Sequence, residues 1–231
     1  MESIKKDTAG RRTALLLNIG ILGAVIILAG DLLMGWGVRE PEAVGLAAQL
    51  SPYLRISHGR MFWAAVCGFA GVPLAVAGHF GIYGLMKPCS RKYAGLYAIG
   101  NLGFLAFGGA GVHVSSVEAA YFYQHMAAAS PETALDATVH FAVYFLLPLY
   151  VIMISCWILM VYAHLRVVFS TGGPFSRKYA IWSMPVGTLL FSLAGLLGNY
   201  ALTNAVTMGA FSLGNIWCLA GHLFLLNKNG K

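Results

Sequence analysis

Apolar residues run along this chain in blocks of about twenty or more, broken by short clusters of charge, proline or glycine. Such a block is what a helix needs to cross a hydrocarbon layer of ~30 Å at ~1.5 Å per residue. The pattern predicts an all-α, polytopic membrane helix bundle with six transmembrane helices, near 13–36, 60–86, 93–117, 139–168, 179–201 and 206–226. Together they form a single integral membrane domain over 1–231. The first block is too long and too rich in glycine for a signal-peptide core, and no cleavage site followed by a polar domain comes after it, so it reads as a retained span.

Composition agrees: 231 residues, 58% hydrophobic, 10% charged, mean hydropathy +0.72, more apolar surface than a soluble domain of this size can bury. The partner this implies is the lipid bilayer. A net charge of +7 would otherwise suggest nucleic acid. The basic residues instead sit beside the apolar blocks, as Lys5, Lys6, Arg11 and Arg12, then Lys87, Arg91 and Lys92, then Arg166, Arg177 and Lys178, and finally Lys228 and Lys231. No nucleic-acid partner follows. That bias places both termini on the cytoplasmic side of the cell membrane, N-in and C-in. The loop 37–59 is the exception, with Arg39 and Arg55 beside Glu40 and Glu42; within it 46–54 is short and apolar, suited to lie over the outer face as a lid. The four cysteines show no metal or disulfide spacing.

Pro88-Cys-Ser-Arg-Lys-Tyr93 recurs as Pro174-Phe-Ser-Arg-Lys-Tyr179. The recurrence predicts a parallel internal repeat of helical hairpins, spans 2–3 reused as spans 4–5, and sets His113 against Asn199 and Glu118 against Asn204. A parallel repeat counts against a carrier built on inverted halves.

Ionisable side chains at hydrocarbon depth are costly unless they face a cavity or a partner, which makes each one a candidate site residue. Asp31 lies about 28 Å beyond Arg12 along a helix, toward the outer end of the first span, facing either a pocket or a basic residue such as Arg55 or Arg60. His113 and Glu118 follow in the third span, where regular helical spacing turns them to different faces. Glu132, Asp136, His140 and Tyr144 recur every fourth residue, predicting one stripe that descends into the bundle. Within it Asp136 and His140 have the spacing to hold a metal or pass a proton. In the last span Asn204, Met208, Asn215, Cys218 and His222 return to one face, and Asn215 is deep enough to require a hydrogen-bond partner. Pro73, Pro148 and Pro185 are expected to kink their helices and widen the bundle.

The stretch Gly173-Pro-Phe-Ser-Arg-Lys-Tyr-Ala-Ile-Trp-Ser-Met-Pro185, with Gly198-Asn-Tyr200, Phe211-Ser-Leu-Gly-Asn-Ile-Trp217 and Gly30-Asp-Leu-Leu-Met-Gly35, resembles an uncharacterised group of bacterial six-span membrane proteins. That resemblance implies a fold and no activity. His113, Glu118, Asn215 and Trp217 resemble the polar set of the sterol-isomerase and emopamil-binding superfamily, which implies a hydrophobic substrate held among intramembrane polar groups; the span count differs. An HxxxH pair of the ceramidase type is missing.

Two classes of function remain in view. One is an enzyme that binds and modifies a lipid, sterol or isoprenoid-like small molecule by isomerisation, proton transfer or hydrolysis. Asp31, His113, Glu118 and His140 would be catalytic, with Asn199, Asn204, Asn215, Tyr144 and Trp217 orienting the substrate. The other is a small-solute or proton-coupled transporter, with a non-catalytic ligand-binding subunit as a third possibility. No cofactor and no oligomeric state is assigned: the glycines lack the strand and helix context of a phosphate loop, and His79 and His164 form the nearest approach to a haem pair.

Overall fold

The first apolar block folds as part of helix α1 (Glu2–Gly35). The computed structural model describes residues 2–170 and 177–229, with side chains in 10–170 and 177–228. The remaining helices are α2 (Gly45–Leu50), α3 (His58–Met86), α4 (Arg91–Phe107), α5 (Val114–Ala129), α6 (Pro131–Phe141), α7 (Leu147–Val168), α8 (Met184–Ser192), α9 (Ala201–Met208) and α10 (Ala210–Asn229). Among the described residues there is no strand. Two π-helical segments, Gly108–His113 and Ala142–Leu146, join α4 to α5 and α6 to α7 as continuous rods. Ser57 and Ser90 set the starts of α3 and α4, their hydroxyls accepting from the backbone N–H of Arg60 and Tyr93. Pro148, which has no N–H to give, sits in the first turn of α7 just after a π segment, where the regular bonding is already interrupted.

Among the described residues five helices are long and apolar enough to cross a membrane: Gly10–Gly35, His58–Met86, Arg91–Ala129, Pro131–Val168 and Ala210–Lys228. The expected fifth block, 179–201, behaves differently. Arg177–Ala180 makes one 3-10 turn, Pro185 restarts the helix at α8, and Leu193–Leu197 tightens to 3-10 before Gly198 turns the chain at φ +111°. The apolar run Met184–Leu197 therefore rises only about 21–24 Å, short of the hydrocarbon thickness. Its repeat motif begins at Pro174, outside the described residues, as does Lys231.

The helices alternate between two ends of the bundle. The basic end carries Arg11, Arg12, Lys87, Arg91, Lys92, Arg166 and Lys228; the lid end carries the segment 37–57. At the centre α1 packs along α3, with Gly20 against Gly78 so close that a Cβ on either would strike the other's backbone. Helix α4 packs along α7, and α10 lies against both α1 and α8. The main apolar core fills the basic half around Leu17, Ile82, Met86, Tyr97, Met160 and Leu219. A smaller core, Met34, Ile56, Met61, Ala64, Val117 and Ala120, seats the lid on the other half.

Local chemistry fixes that lid. Gln124 of α5 donates to the carbonyls of Tyr53, Leu54 and Ile56. On the opposite flank the Asn199 amide accepts from Arg39 N–H and donates to Arg39 C=O, both at 3.0 Å, while Asn204 donates to Gly37 C=O at 2.8 Å. Arg55 pairs with Glu40, and Arg60 closes the end of α1 by donating to the carbonyls of Leu33 and Trp36. The positive charge that interrupts the topology pattern in this loop therefore has structural uses.

Candidate functional site

Between the two cores lies a cavity of about 330 Å³. Ile27, Met34, Val72, Phe104, Met153 and Phe211 supply an apolar wall, and Asp31, His113, Ser212, Asn215 and Tyr53 bring polar atoms to it. This combination, a mostly apolar chamber with a few convergent polar groups, is the usual form of a small-molecule site.

The π-helical segment aims His113. Widening the turn at 108–113 swings the imidazole toward α3, where Gly68 leaves room that any side chain would fill; a Cβ there would overlap the ring. Nε2 lies 2.9 Å from Ala64 C=O, and since a carbonyl only accepts, Nε2 carries the hydrogen. Nδ1 is left facing Asp31 Oδ1 at 3.6 Å, within ion-pair range and just beyond a direct hydrogen bond. The other carboxylate oxygen, Oδ2, accepts from the Ser212 hydroxyl at 2.6 Å. A proton on this pair can sit on the carboxyl or on the imidazole, which is the arrangement a proton-transferring site requires. Both side chains are about 15% exposed, 14% for His113 and 15% for Asp31. Above them Tyr53 closes the chamber from the lid; burial and the Asp31 carboxylate push its phenol up, and the Arg39 guanidinium pulls it part of the way back.

From the floor of the chamber a second polar group runs into the packed core. Asn215 donates from Nδ2 to Phe211 C=O at 3.1 Å, so its oxygen faces His79 Nε2, 2.9 Å away. His79 Nδ1 then accepts from the Tyr97 hydroxyl at 2.8 Å. Nearer the basic end His222 Nδ1 donates to Cys218 C=O at 2.7 Å, and its Nε2 meets His164 Nε2 at 3.1 Å. His79 and His222 are fully buried and His164 nearly so.

Of the residues singled out in the sequence, Asp31, His113, Met208 and Asn215 meet at the chamber. The other candidate catalytic, substrate-orienting and metal-binding residues do not. Asp31 pairs with His113 and Ser212 rather than with Arg55 or Arg60. Glu118 points out of the bundle into a shallow groove with His58, Tyr121 and Phe122. The stripe Glu132, Asp136, His140 and Tyr144 keeps its periodicity, since Asp136 and His140 lie 3.8 Å apart, but it runs along the outside. Asp136 is 81%, His140 68% and Tyr144 71% exposed, because α6 turns Ala134 and Thr138 inward, α5 being the helix it packs on. Among the described residues no three His, Cys, Asp or Glu side chains gather in a metal-binding group, at Asp136 and His140 or elsewhere. Asn199 and Asn204 hold the lid. Trp217 donates to Ile181 C=O at 2.7 Å and lies against Trp182, a joint between α10 and the approach to α8.

Ser212 and Tyr53 were not among the expected site residues. Ser212 had a signal, lying three residues before Asn215 on the polar face of α10; Tyr53 had none, since its place depends on how the lid folds back.

Helices long and apolar enough to cross a membrane, packed around a chamber with a largely buried carboxylate and imidazole, define the class: an all-α protein with candidate membrane-spanning helices. The chain belongs to DUF6796, a family of unknown function whose profile matches residues 1–229. No curated protein and no solved structure matches it.

Proposed function

We propose that the chamber binds a lipid-, sterol- or isoprenoid-like molecule and that the Asp31 and His113 pair moves a proton on or off it. The observation that supports this is the pair itself, two groups able to trade a proton and both facing an apolar cavity rather than each other's hydrogen-bonding groups alone. Ser212 holds one carboxylate oxygen, leaving Oδ1 toward His113. Isomerisation or hydrolysis at such a site needs the substrate's reacting atom within ~3 Å of one of the two groups. In this reading Met184–Leu197 completes a sixth crossing with the chain around it, both termini face the cytoplasm of the cell membrane, and the spans 2–3 and 4–5 descend from one duplicated hairpin.

A transporter reading draws on the inner histidines, which extend polar groups from Asn215 toward the basic end. It is the weaker of the two, because the Asn215 amide stands between the chamber and His79 and has no titratable proton to pass.

Incubation of the reconstituted protein with lipid extracts, followed by mass spectrometry, tests the proposal. Wild type is expected to retain or convert one hydrophobic species, and Asp31→Asn to lose the conversion. If wild type retains and converts nothing, the reading fails.

A further inference from the structure

A second cavity of about 280 Å³ lies under the lid, next to the chamber, and shares Met34, Tyr53 and Met208 with it. Among the described residues its only charged lining residue is Arg39, and no Asp or Glu lines it. The other two lid-end arginines are committed, Arg55 to Glu40 and Arg60 to the carbonyls ending α1. Arg39 differs. Its backbone is clamped on both sides by Asn199, yet among the described residues no carboxylate lies within ion-pair distance of its guanidinium. The neighbouring polar groups add no competing charge: Asn204 donates to Gly37 C=O and to Asn199 Oδ1, and Thr207 donates to Thr203 C=O. A half-buried guanidinium on a fixed backbone, facing a hollow with no anion, is a site for an oxyanion.

We infer that the guest of the chamber is an amphiphile with an anionic head, a carboxylate or a phosphate, held by Arg39 in this antechamber. Its apolar body passes between Tyr53 and Met208 toward Asp31 and His113. The inference rests on the chamber reading above and gives the guest a polarity and an orientation. Head at Arg39 sets the anion on a guanidinium that stays charged and the body against the apolar wall of the chamber; reversed, the head would lie beside Asp31 and Ser212, where no permanent cation stands. At roughly 30 Å³ for each water-sized group, the chamber has room for on the order of ten such groups, so a decyl chain is a fitting probe.

The test uses the full chain in phosphatidylcholine nanodiscs, with empty nanodiscs as background, and measures binding of decanoate, decyl phosphate, decanol and decylamine. Wild type is expected to bind at least one of the anions about tenfold more tightly than decanol. Arg39→Gln should erase that preference, leaving decanol affinity within about twofold, and Arg39→Lys should restore part of it. Preference for decanoate alone or decyl phosphate alone also supports the inference and identifies the head. Decanol or decylamine binding as tightly as both anions overturns it. Ile154 also lines the chamber, and Ile154→Trp, which fills it, separates the two readings: if it abolishes decanol binding the chamber stands whatever Arg39 does, and if decanol binding is unchanged the chamber reading has failed. No binding by any of the four chains overturns both.

Discussion

Histidine stands inside both halves of this bundle and is held in two different ways. His79, in the basic half, has each ring nitrogen within 2.9 Å of a side-chain partner and lies in a packed core. His113, in the lid half, has one nitrogen on a carbonyl and the other facing a carboxylate at 3.6 Å beside a void. A buried polar group whose hydrogen bonds all close on neighbours specifies packing. One that leaves a lone pair or a proton at a cavity wall is available to a guest. The contrast between chamber and packed core, rather than the number of polar residues at depth, separates chemistry from structure here.

The largest effect that would sharpen this contrast is expected from the chamber. Asp31→Asn combined with His113→Gln should lower conversion of the substrate by 10²–10⁴, the usual range for acid-base groups, while the unfolding midpoint in detergent stays close to wild type. His79→Phe should do the reverse. It strands the Tyr97 hydroxyl and the Asn215 oxygen, at ~1–3 kcal/mol each, and should leave guest affinity within about twofold; a variant as stable as wild type would break the comparison. Gly68→Ala should fall between, costing ~1–3 kcal/mol for the forced overlap with the His113 ring and lowering turnover as the imidazole leaves its place. Asn199→Ala removes two hydrogen bonds to the lid, ~1–3 kcal/mol in total, and should show as faster amide exchange confined to 37–57. Smallest of all, Asp136→Ala and His140→Ala should each change stability by no more than about 0.5 kcal/mol and leave binding alone; a loss of binding in either would move the site to the outer stripe.

The depth of Asp31 was legible because counting along a straight helix from Arg12 suffices. Its partner was not. His113 ends a π turn, so how its ring meets Asp31 depends on a widened turn that regular spacing does not describe. The wheel from His113 on to Glu118 does set the two apart, one at the chamber and the other facing outward. The polar face of α10 was readable from spacing, whereas the stripe from Glu132 to Tyr144 was readable as a stripe only; which side α6 turns inward depends on Ala134 and Thr138 meeting α5. Helix existence followed from hydropathy nearly everywhere. At 179–201 the helix is there but shorter than the apolar run, because Pro185 and Gly198 bound it. Asn199 and Asn204 illustrate a different limit: their place in sequence marked them as notable, but an amide that binds a substrate and one that binds a neighbouring peptide group look alike until the loop is in view.

The meeting of Gly20 and Gly78 bears on how anything reaches Asp31. With backbones in contact, α1 and α3 form one stiff plank, unable to part or slide without collision. A guest is therefore not admitted between these two rods, and the strap from Gly37 to Ser57, tethered at its edges by three amide side chains, is a wall that releases and re-forms far more cheaply than they can separate.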